Sequence, residues 1–221
     1  MSFALRVSRL KQALRVPVVS LGVAMSILGP QPARAQGGPG LSLDARARGA
    51  KTAPVTVYEM ADFQCPYCRD FALQTWPSID KEYVRTGKVR WIFINFPIPS
   101  IHANAVAAAE FAACAARQGR FWPTHDMLYG THDRWENLKN AAPFFQSQIP
   151  VLGLKQDAMT SCLESGVGAA AVSDDVAGAQ RSGARSTPTF YIEGGMMDGA
   201  QPIEIFRRVL DSVYAAKTRK G

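Results

Sequence analysis

The chain has 221 residues, room for one sizeable domain, and its 47% apolar content excludes disorder over most of the length. Lys plus Arg number 25 and Asp plus Glu 18, a formal charge of +7. Arg6, Arg9, Lys11, Arg15 and Arg34 all lie in the first 35 residues, which hold no acid, so the rest is nearly neutral and a basic groove for nucleic acid is excluded.

The basic start has the order of a secretory leader. Residues 1–15 are basic, Val16 to Gly29 is an uncharged run of 14, and Ala33-Arg34-Ala35 supplies small residues at an A-x-A site. The run is shorter than the roughly 18–20 residues needed to cross hydrocarbon. No Cys precedes Cys65, so the usual acceptor for a lipid anchor is missing. We predict a signal peptide over 1–35, cleaved after Ala35, and a periplasmic protein in an oxidising compartment.

Residues 36–53, rich in Gly and Ala and without periodicity, predict a linker. Pro54 to Ala61 is β-branched and aromatic, a buried strand. A helix is predicted from Cys65 or Pro66, since proline suits the first helical position. Pro77 must kink or restart it, and Gly87 ends it. Val89 to Phe96 is a nearly continuous apolar run, the pattern of a central strand covered on both faces. Residues 100–183 then read as helices throughout. Within them Phe121-Trp122 and Phe144-Phe145 are expected in the core, with His125 and His132 as caps or surface groups. Thr189 to Glu193 returns to strand, Gly194-Gly195 turns, and the following residues pair back as a hairpin. Pro202 opens a last helix with Ile203, Phe206, Val209, Leu210 and Val213 on one face.

Cys65-Pro66-Tyr67-Cys68 thus follows a strand and opens a helix. The thiolate is the nucleophile of disulfide exchange, and a helix N-terminus favours negative charge through its free N–H groups and dipole. Cys68, one turn further in, is placed to attack a mixed disulfide. Half a zinc site is the first alternative, but no second pair or Cys/His cluster completes four ligands, so no metal and no cofactor is expected. An inert bridge is the second, although so short a loop stabilises little. A Cys65 pKa near 5 would favour the dithiol by about 2.7 kcal/mol at pH 7, or about 60 mV.

The run from Glu59 through Cys65-Pro66-Tyr67-Cys68 to Phe71, with Ser186-Thr187-Pro188-Thr189-Phe190 about 120 residues later, resembles the DsbA-like thiol–disulfide oxidoreductases of the thioredoxin superfamily. The resemblance implies an α/β thioredoxin fold from 54–99 and 184–216 with an all-helical subdomain, 100–183, inserted. It implies Cys65 as the exposed nucleophile, Cys68 as the resolving thiol and Pro188 as a cis-proline facing them. Thr187 would contact substrate backbone, and Glu59 would be a buried acid relaying protons to Cys68. His102, preceding a helix, is a further candidate beside the site, the alternative being a cap or surface group. The two remaining cysteines, Cys114 and Cys162, are expected as a structural disulfide if Cys65–Cys68 is one pair, the alternative being two buried thiols.

Function follows as an expectation: an enzyme introducing disulfides into exported cysteine-containing proteins, reset by a membrane redox partner. The linker is too short for the dimerisation domain that V-shaped isomerases carry, which favours a monomer. A reductase or isomerase is the alternative within the class. Outside it stands a secreted binding or chaperone protein with a passive Cys65–Cys68 bridge.

Overall fold

A computed structural model describes residues 41–219; the predicted signal peptide, its cleavage site and the first part of the predicted linker lie outside them. The described residues form a mixed α/β fold around a five-stranded sheet of order β1-β3-β2-β4-β5. Its strands are β1 (Ala47–Arg48), β2 (Val55–Ala61), β3 (Val89–Asn95), β4 (Thr189–Ile192) and β5 (Gly195–Asp198). β2 and β3 run parallel, and every other neighbouring pair is antiparallel. A parallel pair needs a crossover. Here it is helical: α1 (Pro66–Asp70) and α2 (Trp76–Ile79), each continued by one π-type turn, Phe71–Thr75 and Asp80–Val84. Pro77 sits in the first turn of α2, directly after the π-type turn Phe71–Thr75.

Alternation along β2 and β3 sorts the two faces of the sheet. Val55, Val57 and Trp91 pack with Phe71, Trp76 and Ile79 of the crossover. Phe206 and Leu210 of α9 (Ile203–Thr218) join the same layer. On the opposite face Met60, Ile92 and Ile94 meet Ala179 of α8 (Val167–Arg181). The helices between β3 and β4 build a further core with Phe111, Phe121, Trp135 and Phe145 at its centre. They are α3 (Ala105–Ala116), α4 (Phe121–Gly130), α5 (His132–Trp135), α6 (Ala142–Ser147), α7 (Gln156–Glu164) and α8. Trp122 and Phe144 pack against that core from its margin.

A disulfide joins Cys114 of α3 to Cys162 of α7 across 48 residues of sequence. Closing a loop of that length removes unfolded-state entropy worth about 4 kcal/mol. Gly168 lies against it: a Cβ there would approach the Cys114 sulfur to 2.9 Å, so α8 closes on the bridge because it carries no side chain at this point.

Three local expectations are corrected. Within the predicted linker, Leu43–Arg46 form a helical turn and Ala47–Arg48 pair with Ile92 and Trp91. This segment is held by a buried ion pair, Arg46 with Asp175 of α8, which also accepts from Asn95 N (3.0 Å) and Nδ2 (2.8 Å). The hairpin turn falls on Glu193-Gly194, both at positive φ (46° and 93°), and Gly195 pairs with Ile192. Glu193 tolerates a conformation suited to glycine because its carboxylate accepts from Thr56 N (3.0 Å) and meets Lys217 Nζ (2.5 Å). Finally, His125 and His132 are buried, neither of them a surface group. His125 packs edge-on against Phe63, Phe93 and Tyr129, and His132 Nε2 reaches the Gln64 carbonyl at 2.9 Å.

Candidate active site

The site is made where β2 ends. After Ala61 the chain turns through Asp62-Phe63-Gln64, the Cys65 N–H donates to the Asp62 carbonyl (3.1 Å), and Cys65 becomes the N-cap of α1 with Pro66 in its first turn. The Cys65 side chain therefore stands at the positive end of the crossover helix. β4 brings the second half. The Thr187–Pro188 bond just before it is cis, and the Cys65 Sγ lies 3.4 Å from the Thr187 carbonyl oxygen, which can accept from the thiol. Residues more than a hundred positions apart thus meet because β4 pairs with β2.

Cys65 and Cys68 are free thiols with opposed acidities. The Cys65 pKa falls from 9.0 to about 6, chiefly because the Cys68 side chain donates to its sulfur. Burial opposes the fall, and the Thr187 side chain and the Cys68 and Tyr67 backbone N–H groups add to it. Cys68 is pushed well above the ordinary thiol range, first by burial and then by its hydrogen bond to Cys65. One thiol is thus prepared to attack and the other to hold its proton.

Glu59 lies in β2 opposite Phe93 and Phe190 and is 1% exposed. Its Oε2 accepts from the Trp91 indole N–H at 2.7 Å, while Oε1, also buried, has no partner. Burial raises its pKa from 4.5 to about 8, against the opposing pull of the Trp91 bond. Its charge in turn raises Cys68, so the two groups compete for one negative charge.

Cys65 and Cys68 lie beside the cis Thr187–Pro188 bond, and the Glu59 charge acts on Cys68. Cys65 is not the exposed nucleophile the resemblance implied. It is 4% exposed and Cys68 fully buried, since both belong to the core that the inserted helices build, while Tyr67 between them is 66% exposed. His102 does reach the neighbourhood: its Nδ1 is 2.7 Å from the buried carboxylate of Asp62. Asp62 and Gln64, which organise the turn before Cys65, went unread in the sequence. Their one signal was two polar residues flanking Phe63 between a buried strand and a helix. The Cys114–Cys162 bridge takes no part in the hydrogen bonds around Cys65. Among the described residues no group of three His, Cys, Asp or Glu side chains is arranged to hold a metal ion.

Known proteins share this fold. A family model described as thioredoxin matches residues 42–212. A probable disulfide bond formation protein D of Bacillus anthracis is 29% identical over 152 residues, 67% of this chain and 69% of that protein. A protein of Salinispora tropica named Na(+)/H(+) antiporter NhaA 3 is 35% identical over 169 residues, 76% of this chain. The chain spans 24% of that protein's length. Among solved structures, alpha-DsbA1 of Wolbachia pipientis superposes with a TM-score of 0.70 at 24% identity, covering 79% of this chain and 93% of that one. BdbD of Bacillus subtilis gives 0.71 at 20% identity, covering 80% and 96%.

Proposed function

Since the chain belongs to the thioredoxin family and has the DsbA-like form of its fold, we propose that it is a thiol–disulfide oxidoreductase that introduces disulfides into exported proteins. The observation that carries this reading is the pairing of a low-pKa thiol at a helix N-terminus with a buried, high-pKa thiol one turn on. In the oxidising direction a client thiolate attacks Cys65 Sγ of the Cys65–Cys68 disulfide and expels Cys68 as a thiolate. A mixed disulfide results, and Cys68 takes a proton from Glu59. A second client thiolate then attacks the client sulfur of the mixed disulfide and releases the Cys65 thiolate. The client loses two electrons and the Cys65–Cys68 pair gains them. A membrane redox partner would take them back.

Export supports the same reading. The leader pattern over 1–35 would deliver the chain to a compartment where disulfides persist, and among the described residues no helix is long and apolar enough to cross a membrane. Thr187 and Pro188, beside the nucleophile, would present backbone to a client peptide lying extended.

The Cys65 pKa moves the pair toward the oxidising side of thioredoxin. A depressed pKa stabilises the dithiol form above pH 6 and loses that stabilisation as pH falls through 6. At pH 7 only about one unit counts, worth about 1.4 kcal/mol, or about 30 mV. That is half the shift expected from a pKa near 5, because the Cys65 pKa falls only to about 6, burial opposing the hydrogen bond from the Cys68 side chain. Equilibration with glutathione should give a potential about 30 mV above thioredoxin's, near −240 mV. A value at or below thioredoxin's −270 mV would make the protein a reductant.

A further inference from the structure

The turn that carries Cys65 is fastened to the inserted helical subdomain at two side chains. Asp62 has no exposed side-chain surface. Its Oδ1 accepts from Gln64 N (2.8 Å), and its Oδ2 accepts from Ile98 N (2.8 Å) with His102 Nδ1 at 2.7 Å. A carboxylate takes three such contacts at once, which few side chains can do. Gln64 completes the fastening. Its Oε1 accepts from Asn104 N (2.6 Å), its Nε2 donates to the Glu136 carbonyl (2.7 Å), and its own carbonyl faces His132 Nε2 at 2.9 Å. Phe63 between them is stacked on Phe93 and packed against Tyr129. The Tyr129 hydroxyl donates to the Asp62 carbonyl at 3.3 Å.

This arrangement exceeds what holding the chain requires. A strand-to-helix turn is commonly satisfied by its own backbone and a capping side chain, whereas here the partners come from the loop after β3 and from the inserted helices. What the turn fixes is where Cys65 Sγ stands relative to the N–H groups of Tyr67 and Cys68 and to Thr187. Hydrogen-bond stabilisation of a developing anion falls steeply once donors move from their places. The Asp62 backbone N–H also favours the Cys68 thiolate, so displacement of this residue would disturb both sulfurs.

We propose that Asp62 and Gln64 are positioning residues through which the inserted helical subdomain holds Cys65 in its reactive geometry. The inference rests on the oxidoreductase reading for its meaning, but its test reads the thiol directly and needs no turnover. In the reduced protein, ultraviolet titration of Cys65 in Gln64→Ala, which changes no charge, should show a pKa raised by about one unit. Asp62→Asn should show a rise of at least that size, because an amide cannot accept from all three donors. The sign is the discriminating feature. Removal of a neighbouring anion alone would favour the thiolate and lower the pKa, and a merely structural loss would lower the melting temperature with the pKa unchanged. His102→Asn, which keeps a donor where Nδ1 stands, should leave the pKa at its wild-type value, and His102→Ala should raise it. Should Asp62→Asn fail to fold, Gln64→Ala and the His102 pair carry the test. Unchanged or lowered pKa values in folded Gln64→Ala and His102→Ala would overturn the proposal. Absence of exchange activity in the wild type would instead overturn the oxidoreductase reading.

Discussion

Cys65→Ser loses thiol–disulfide exchange to background, whereas Cys68→Ser still attacks disulfides once and stalls as a mixed disulfide. With a pKa of about 6, Cys65 is about 90% thiolate at pH 7. Cys68, raised above 9.0 by burial, is ionised below about 1% and is fully shielded from a client. Cys68 therefore cannot replace Cys65 as the attacking group, and a serine hydroxyl is no nucleophile without a base beside it. Once a mixed disulfide has formed at Cys65, only a second thiol can release it. Cys68 is the neighbour within hydrogen-bonding reach of the Cys65 sulfur, so its removal leaves the adduct in place. Insulin reduction in the presence of dithiothreitol checks the first half, and a non-reducing gel of Cys68→Ser incubated with oxidised insulin checks the second. Substantial turnover by Cys65→Ser would show that the helix N-terminus is not where the chemistry happens.

Glu59→Gln stabilises the protein, and it does so only above the ordinary carboxylate range. The folded pKa of Glu59 is raised from 4.5 to about 8, so the protonated acid is the form the fold prefers. That preference is fully present below pH 4.5 and is lost as pH rises through 8. Each unit in between costs the wild type about 1.4 kcal/mol, hence about 3 kcal/mol at pH 7 and about 5 kcal/mol above pH 8. Glutamine has the shape of the protonated acid. It can keep the acceptor that meets Trp91 at 2.7 Å, and it places its donor where Oε1 already lacks a partner, so it adds no unpaired group. Denaturant unfolding at pH 4.5 and at pH 8 should show equal stabilities at the lower pH and a gain of several kcal/mol at the higher. The gain comes with slower resolution of the mixed disulfide by Cys68 in the insulin reduction assay, since Gln cannot exchange a proton with Cys68. Equal stabilities at both pH values would place Glu59 in contact with water.

The central frame was legible because its signals are local. Val55 to Ala61 and Val89 to Asn95 announce buried strands by composition, and Pro66 marks the helix start that puts Cys65 at an N-terminus. The Ala-rich and amphipathic stretches after residue 100 announce helices in the same way. What escaped depends on partners far away in sequence. The two-residue β1 has no period to read, and it exists because Ile92 and Trp91 offer an open edge and Asp175 neutralises the neighbouring Arg46. His125 and His132 look like surface histidines until α4 and α5 are packed beside Phe63 and the Gln64 carbonyl. Asp62 shows the same limit at the site itself. One acid three residues before Cys65 carries no spacing rule, and its importance appears only when Ile98 and His102 arrive beside it.

Reactivity stands on one thiol being ionised at neutral pH, and ultraviolet titration of the wild type reduced at Cys65 and Cys68, set against Cys65→Ser, measures it directly. The difference curve should rise through a single transition centred at about pH 6, with no second transition below pH 9, since Cys68 stays protonated throughout that range. A Cys65 transition at about pH 8.5, the value of an unperturbed thiol, would contradict it.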